Sequence, residues 1–90
     1  MSNDVASFVA RCRRDPAICC PVKALFKAFG QALPADKRSA WSRSNFLFEL
    51  ARGGFALGQV GNSDIIVGLA PPSGGWQVIN SRLHFAECAA

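Results

Sequence analysis

The sequence predicts an α+β fold in which short helices, each with one apolar face, pack with a small antiparallel hairpin. Three observations predict it. Apolar residues recur at helical spacing in three separate segments, two β-like runs flank Gly61, Asn62 and Ser63, and those three segments precede that hairpin. Ninety residues make one domain with a core of three or four elements, too few for a catalytic cleft plus a cofactor-binding unit. Half of the residues are hydrophobic, which is the composition of a chain that folds.

The first helix is expected over residues 4–13. Asn3 can cap it, Asp4 sits where the helix dipole favours an acid, and Val5, Phe8, Val9 and Cys12 fall on one face. Arg11, Arg13 and Arg14 crowd its C-terminal end, where they complement the dipole. The stretch "DPAICC" breaks the helix, and residues 18–19 read as a short bridging strand. A second helix opens at Pro21, whose missing N–H would have no partner in the first turn. Val22, Leu25, Phe26, Phe29 and Leu33 keep the helical period until Pro34 forces its predecessor out of the α region.

"PADKRSAW" is a polar connector, and Ser42 caps a third helix through residue 52. Phe46, Leu50 and Leu47 face inward, while Arg43, Ser44, Asn45, Glu49 and Arg52 form the outer face. Gly53 and Gly54 supply a left-handed stop. Residues 55–60 and 64–69 then form the hairpin. In the tail, "PPSGG" is a loop, "WQVI" an added strand, and Asn80 caps a short helix through Cys88, with Trp76 and Phe85 covering an edge of the core.

Helix, short strand, helix, helix, hairpin is the order of a winged helix-turn-helix: three helices plus a β-hairpin wing, here over residues 1–70, with a short C-terminal extension, 71–90, packing on the same domain. In that arrangement the third helix is the recognition helix. Charge agrees with a phosphate partner. Nine of the ten basic side chains (Arg11, Arg13, Arg14, Lys23, Lys27, Lys37, Arg38, Arg43, Arg52) lie in residues 1–55 beside four acids, whereas the remainder holds Arg82, Asp64 and Glu87.

The spacing resembles the C-terminal winged-helix domain of primase-helicases carried by phages and plasmids. Val5, Phe8 and Val9 match its first helix, and Leu25, Phe26 and Phe29 its second. Ser42, Phe46, Leu50, Gly54 and Phe55 match its third element, and Gly68 with Leu69 the end of its hairpin. The likeness covers about residues 4–70. Where the family often places Trp at the end of the second helix this chain has Ala32, with Trp41 available to fill the space. Its wing, "GQVGNSDII", has no basic residue and one acid, and the tail from Pro71 has no counterpart. The resemblance implies the part of a mobile-element replication system that touches DNA or positions the complex, without its catalytic parts.

Arg43, at the N-terminal end of the reading helix, is the first candidate for a base or phosphate contact. Ser42, Ser44 and Asn45 add hydrogen bonds there, and Lys37, Arg38 and Arg52 are phosphate contacts, although a solvated face also accounts for Arg52. Glu49 opposes them. The function expected is therefore DNA binding in replication or regulation, on duplex, single-stranded or forked DNA. The alternative is a protein-interaction module docking a replication partner or inhibiting a host enzyme, with the tail offering a homodimer contact.

No enzyme is expected. The chain has no G-x-x-x-x-G-K-[ST] loop, no acidic cluster for magnesium, and no G-x-S-x-G or Cys/His pair at recognisable spacing. Neither metal nor cofactor is expected: Cys12, Cys19, Cys20 and Cys88 lack the C-x-x-C pairing of a zinc site, and His84 is the only histidine. "MSNDVAS" carries an acid where a secretory signal needs a basic region, and no apolar run reaches the ~20 residues of a membrane span, so a soluble cytoplasmic protein is expected.

Overall fold

The computed structural model describes residues 2–72 and 74–87. Helix α1 spans Asn3–Arg11. Its cap is Ser2, one residue before the expected Asn3: the Ser2 hydroxyl accepts from the Val5 N–H at 3.4 Å. The helix stops two residues short of Arg13 because that arginine is already paired with Ala70 across a sheet.

Strand β1, Arg13–Pro21, is much longer than the bridging strand expected at 18–19. It is interrupted. Arg14 opposes Leu69 and Cys19 opposes Val67, so four residues of β1 face Gly68 alone. The physical cause lies in "DPAI". Pro16 has no N–H to give to a ladder, and the Asp15 carboxylate accepts from the Ala17 N–H at 2.9 Å, a local bond that competes with strand pairing. Gly68 takes φ +82°, and a Cβ there would lie 3.9 Å from the Asp15 carbonyl oxygen. What the sequence suggested as a break is thus a bulge within one strand.

Helix α2 covers Val22–Ala32, with Pro21 at the capping position instead of the first helical one. Leu33 is extended at its end, as a residue before proline should be. The expected connector contains a short helix, α3, Ala35–Arg38, with no buried residue. Helix α4, Arg43–Arg52, is capped by the Ser42 hydroxyl, which accepts from the Asn45 N–H at 3.2 Å. It ends on Gly54 at φ +90°, with the Gly54 N–H donating to Ala51 O and the Phe55 N–H to Leu50 O. That is the paired 5→2 and 6→1 pattern of a glycine stop, closed by Phe55 packing on the core.

Strands β2, Leu57–Val60, and β3, Ser63–Ala70, form the expected hairpin, with Gly61 at φ +58° in a tighter turn than the three residues anticipated. The tail departs from expectation. Gly74–Ile79 is a strand, β4, but residues 82–87 are a second strand, β5, and not a helix capped by Asn80. Asn80 and Ser81 both take positive φ, 53° and 63°, in the two-residue turn that joins them. This is the backbone of a type I′ turn, which matches the twist of the strands it connects and so wins over a cap. Cys88 lies outside the described residues.

The architecture is α+β: four helices and a five-stranded antiparallel sheet in the order β2-β3-β1-β4-β5. α2 lies against β1 and β3, and α1 touches both α2 and α4. The core between them is aromatic. The Phe29 and Phe46 rings stack at 4.6 Å and 20°, Phe8 meets Phe29 edge-on at 5.4 Å, and Trp41 meets Phe29 edge-on at 5.2 Å. Ile18, Cys20, Ile66 and Leu69 close it from the sheet. These rings fix α4 by its inner face, which decides what it can offer outward.

Candidate nucleic-acid interface

Burying Phe46 and Leu50 turns residues 43–45, 48 and 52 of α4 to solvent. The seven residues named from sequence do not form one patch. Ser42 is spent on the cap, which orients the N-terminal turn and holds Arg43, Ser44 and Asn45 outward. Arg43 joins a cleft of about 260 Å³ with Lys23 at the start of α2 and residues 62–64 of the β2–β3 turn. Two basic residues from two helices therefore line one cleft beside the hairpin tip, together with Asp64, which accepts from the Gln59 side-chain amide at 3.4 Å.

Lys37 and Arg38 are placed by other work. The Lys37 ammonium lies 3.4 Å from the Asp4 carboxylate, a half-exposed pair linking α3 to α1. Arg38 Nε donates at 2.6 Å to the Gly30 carbonyl in the last turn of α2, which also accepts the Leu33 N–H at 3.3 Å. Glu49 accepts the Ser2 N–H at 2.9 Å, so its charge is committed to the start of α1, where the helix dipole favours it.

Arg52 lies over the Phe48 ring, 5.9 Å from its centroid. Phe48 and Lys23 are the site residues outside the sequence-based set. The signal for Phe48 was present in the period: it stands three residues after Asn45 and four before Arg52, on the outward face. Trp41, Asn45, Phe48 and Glu49, with Ala40, line a second, open cleft of about 190 Å³.

Comparison adds no relative. No protein-family model, curated protein or solved structure matches the chain.

Cys12, Cys19 and Cys20 are protonated at neutral pH. Burial pushes the Cys20 thiol up to about 12, with Cys19 and Cys12 adding to it and the Leu25 backbone opposing. Burial likewise raises Cys12 to about 11 against the pull of Arg11, and raises Cys19. Thiols this far from ionising are poor nucleophiles and poor metal ligands. Among the described residues, no three His, Cys, Asp or Glu side chains come together, and no helix is long and apolar enough to cross a membrane.

A third surface has a different character. Between α2 and the second hairpin, Ala24, Ala28, Pro71, Trp76 and Phe85, with Lys27 and Gln31 of α2, line a shallow groove of about 440 Å³. The Trp76 and Phe85 rings are 4.8 Å apart, and Phe85 is 53 % exposed.

Proposed function

We propose that this chain is a DNA-binding module of winged-helix type, serving the replication or regulation of a phage- or plasmid-like mobile element, with α4 as its reading helix. The observation that carries the reading is the position of Arg43, exposed at the N-terminal end of a helix whose opposite face is locked into the core, in a cleft shared with Lys23 and the β2–β3 turn. Support also comes from topology. β1 pairs with the second strand of the hairpin in the order β2-β3-β1, and α1 packs on α2 and α4, an arrangement compatible with a winged helix within a larger five-stranded sheet. The short α3 and the β4–β5 hairpin are additions to that plan.

The chemistry is phosphate attraction plus a few base contacts. Lys23, Arg43 and Arg52, with Lys37 released from its exposed pair at little cost, provide four cations. Fluorescence-anisotropy titration against duplex, single-stranded and forked DNA at several salt concentrations tests it. Four phosphate contacts give a log–log slope of affinity on salt of about −3 to −4. A slope near zero, or no binding at low salt, refutes the reading.

The second reading, a protein-interaction module, draws on the groove beside Phe85 and on exposed Val78 and Ile79 of β4. It covers docking of a replication protein or a host enzyme, and self-association through residues 71–90. Salt-insensitive association that is lost on replacing Phe85 is its signature.

A further inference from the structure

We propose that the cleft on the outer face of α4 takes one unpaired base of single-stranded DNA, stacked on Phe48 with Asn45 at its edge, while Arg52 meets the adjoining phosphate. The inference rests on the DNA-binding reading and narrows it to a form of DNA. Phe48 is 62 % exposed, more than any other large hydrophobic side chain among the described residues. It stands on the polar face of a helix whose other face supplies the core, so packing gives no reason for a phenyl ring there.

Its neighbours give one. Asn45 lies one turn before Phe48 with its backbone N–H held by the Ser42 cap, leaving an exposed amide that carries both a donor and an acceptor, the pair that matches the edge of adenine. Trp41 forms a fixed wall, because its indole is pinned edge-on against Phe29. The cleft is open to solvent on its outer side, and at about 190 Å³ it is smaller than the roughly 300–1,000 Å³ that holds a whole small-molecule ligand, which leaves room for one planar ring laid on Phe48. Arg52 lies over the Phe48 ring in an exposed cation–π contact, weak enough for a phosphate to displace.

Single strands are favoured over duplex for a geometric reason. In a duplex the faces of each base are covered by its neighbours and only edges reach the groove, where a phenyl ring can meet little besides a thymine methyl. A single strand offers the face itself, and base–aromatic stacking of this kind is the usual means of holding it.

The test uses the intact chain with single-stranded oligonucleotides carrying 2-aminopurine, and a duplex of the same sequence. Phe48→Ala is expected to weaken single-strand binding roughly 5- to 150-fold, the equivalent of about 1–3 kcal/mol per stacked base. Duplex affinity should change less than about twofold, Phe48→Trp should retain single-strand binding, and 2-aminopurine fluorescence should be quenched by wild type but not by Phe48→Ala. Thermal melts confirm that each variant folds. If salt-sensitive DNA binding persists but Phe48→Ala leaves single-strand affinity and quenching unchanged, the stacking site is refuted while the DNA-binding reading stands. Tighter binding to the ribose version of the strand reassigns the site to RNA and overturns the proposal. Absence of binding to any nucleic acid at low salt removes both readings, and a protein partner docking on Phe48 becomes the explanation of its exposure.

Discussion

Two phenylalanines on α4, two residues apart, should respond oppositely to truncation. Phe46 is fully buried, and its ring lies 4.6 Å from Phe29, 5.6 Å from Phe26 and 6.2 Å from Phe8. Phe46→Ala therefore removes a large apolar group, leaves a cavity among rigid rings that cannot collapse onto it, and abolishes the stacked pair. Phe→Ala in a core costs about 3–5 kcal/mol, and an aromatic pair accounts for roughly 0.5–1.5 kcal/mol beyond area burial. A domain of this size has a total stability of about 5–14 kcal/mol, so the loss is about a quarter of it or more. Phe48→Ala touches an exposed ring and should stay within about 0.5 kcal/mol. Urea or guanidinium unfolding followed by tryptophan fluorescence reads both, since Trp41 lies against Phe29 in the same cluster. Equal costs for the two variants, or a cost under about 1 kcal/mol for Phe46→Ala, would mean that α4 is turned the other way and that the outward face described above is wrong.

Other consequences follow from the same geometry. Ser42→Ala should cost about 1 kcal/mol by equilibrium unfolding, because the Asn45 N–H loses its acceptor at the start of α4. Ser81→Gly should raise stability by roughly 0.5–1 kcal/mol, since Ser81 sits at φ +63° where a side chain is disfavoured and a type I′ turn prefers glycine; a lower melting temperature would contradict the turn. Native Cys12 and Cys20 should react with a thiol reagent at pH 7 far more slowly than in denaturant. Free thiols in the unfolded chain titrate near 9.0, whereas folded Cys12 and Cys20 titrate near 11 and 12. Between those values the unfolded state holds fewer protons, so their contribution to stability is intact below pH 9 and is lost as pH rises toward 12. Stability that stays flat across that window would show the thiols to be solvated.

The helices were legible in the sequence because their signals are local. Apolar spacing placed Phe8, Leu25, Phe29, Phe46 and Leu50 inside, and Ser42 and Gly54 marked both ends of α4. The first hairpin was legible for the same reason, through Gly61. The length of β1 was not, since "DPAI" reads as a break and only pairing with β3 carries the strand through it. β5 was missed because Asn80 serves a cap and a left-handed turn equally well, and the choice rests on β4 being there to pair with Arg82 and its successors. At the candidate site, α4 and its outer face were foreseen, but not the company its residues keep. Lys23 and Arg43 share a cleft only in the folded chain, where the starts of α2 and α4 both border the β2–β3 turn. Lys37 and Arg38 were singled out for charge alone, and charge does not reveal that one pairs with Asp4 and the other closes α2.

The central claim is that DNA meets the face presented by α4, and two substitutions of equal charge test it. Arg43→Ala and Arg82→Ala each remove one positive charge from an exposed position, the first at the start of α4, the second at the turn of the far hairpin. Measured by anisotropy at one low salt concentration, Arg43→Ala should weaken DNA binding about tenfold or more, the cost of one lost charged contact, and Arg82→Ala by less than about twofold. Equal losses would mean that binding follows net charge and not the α4 face, and a larger loss for Arg82→Ala would move the interface to the second hairpin.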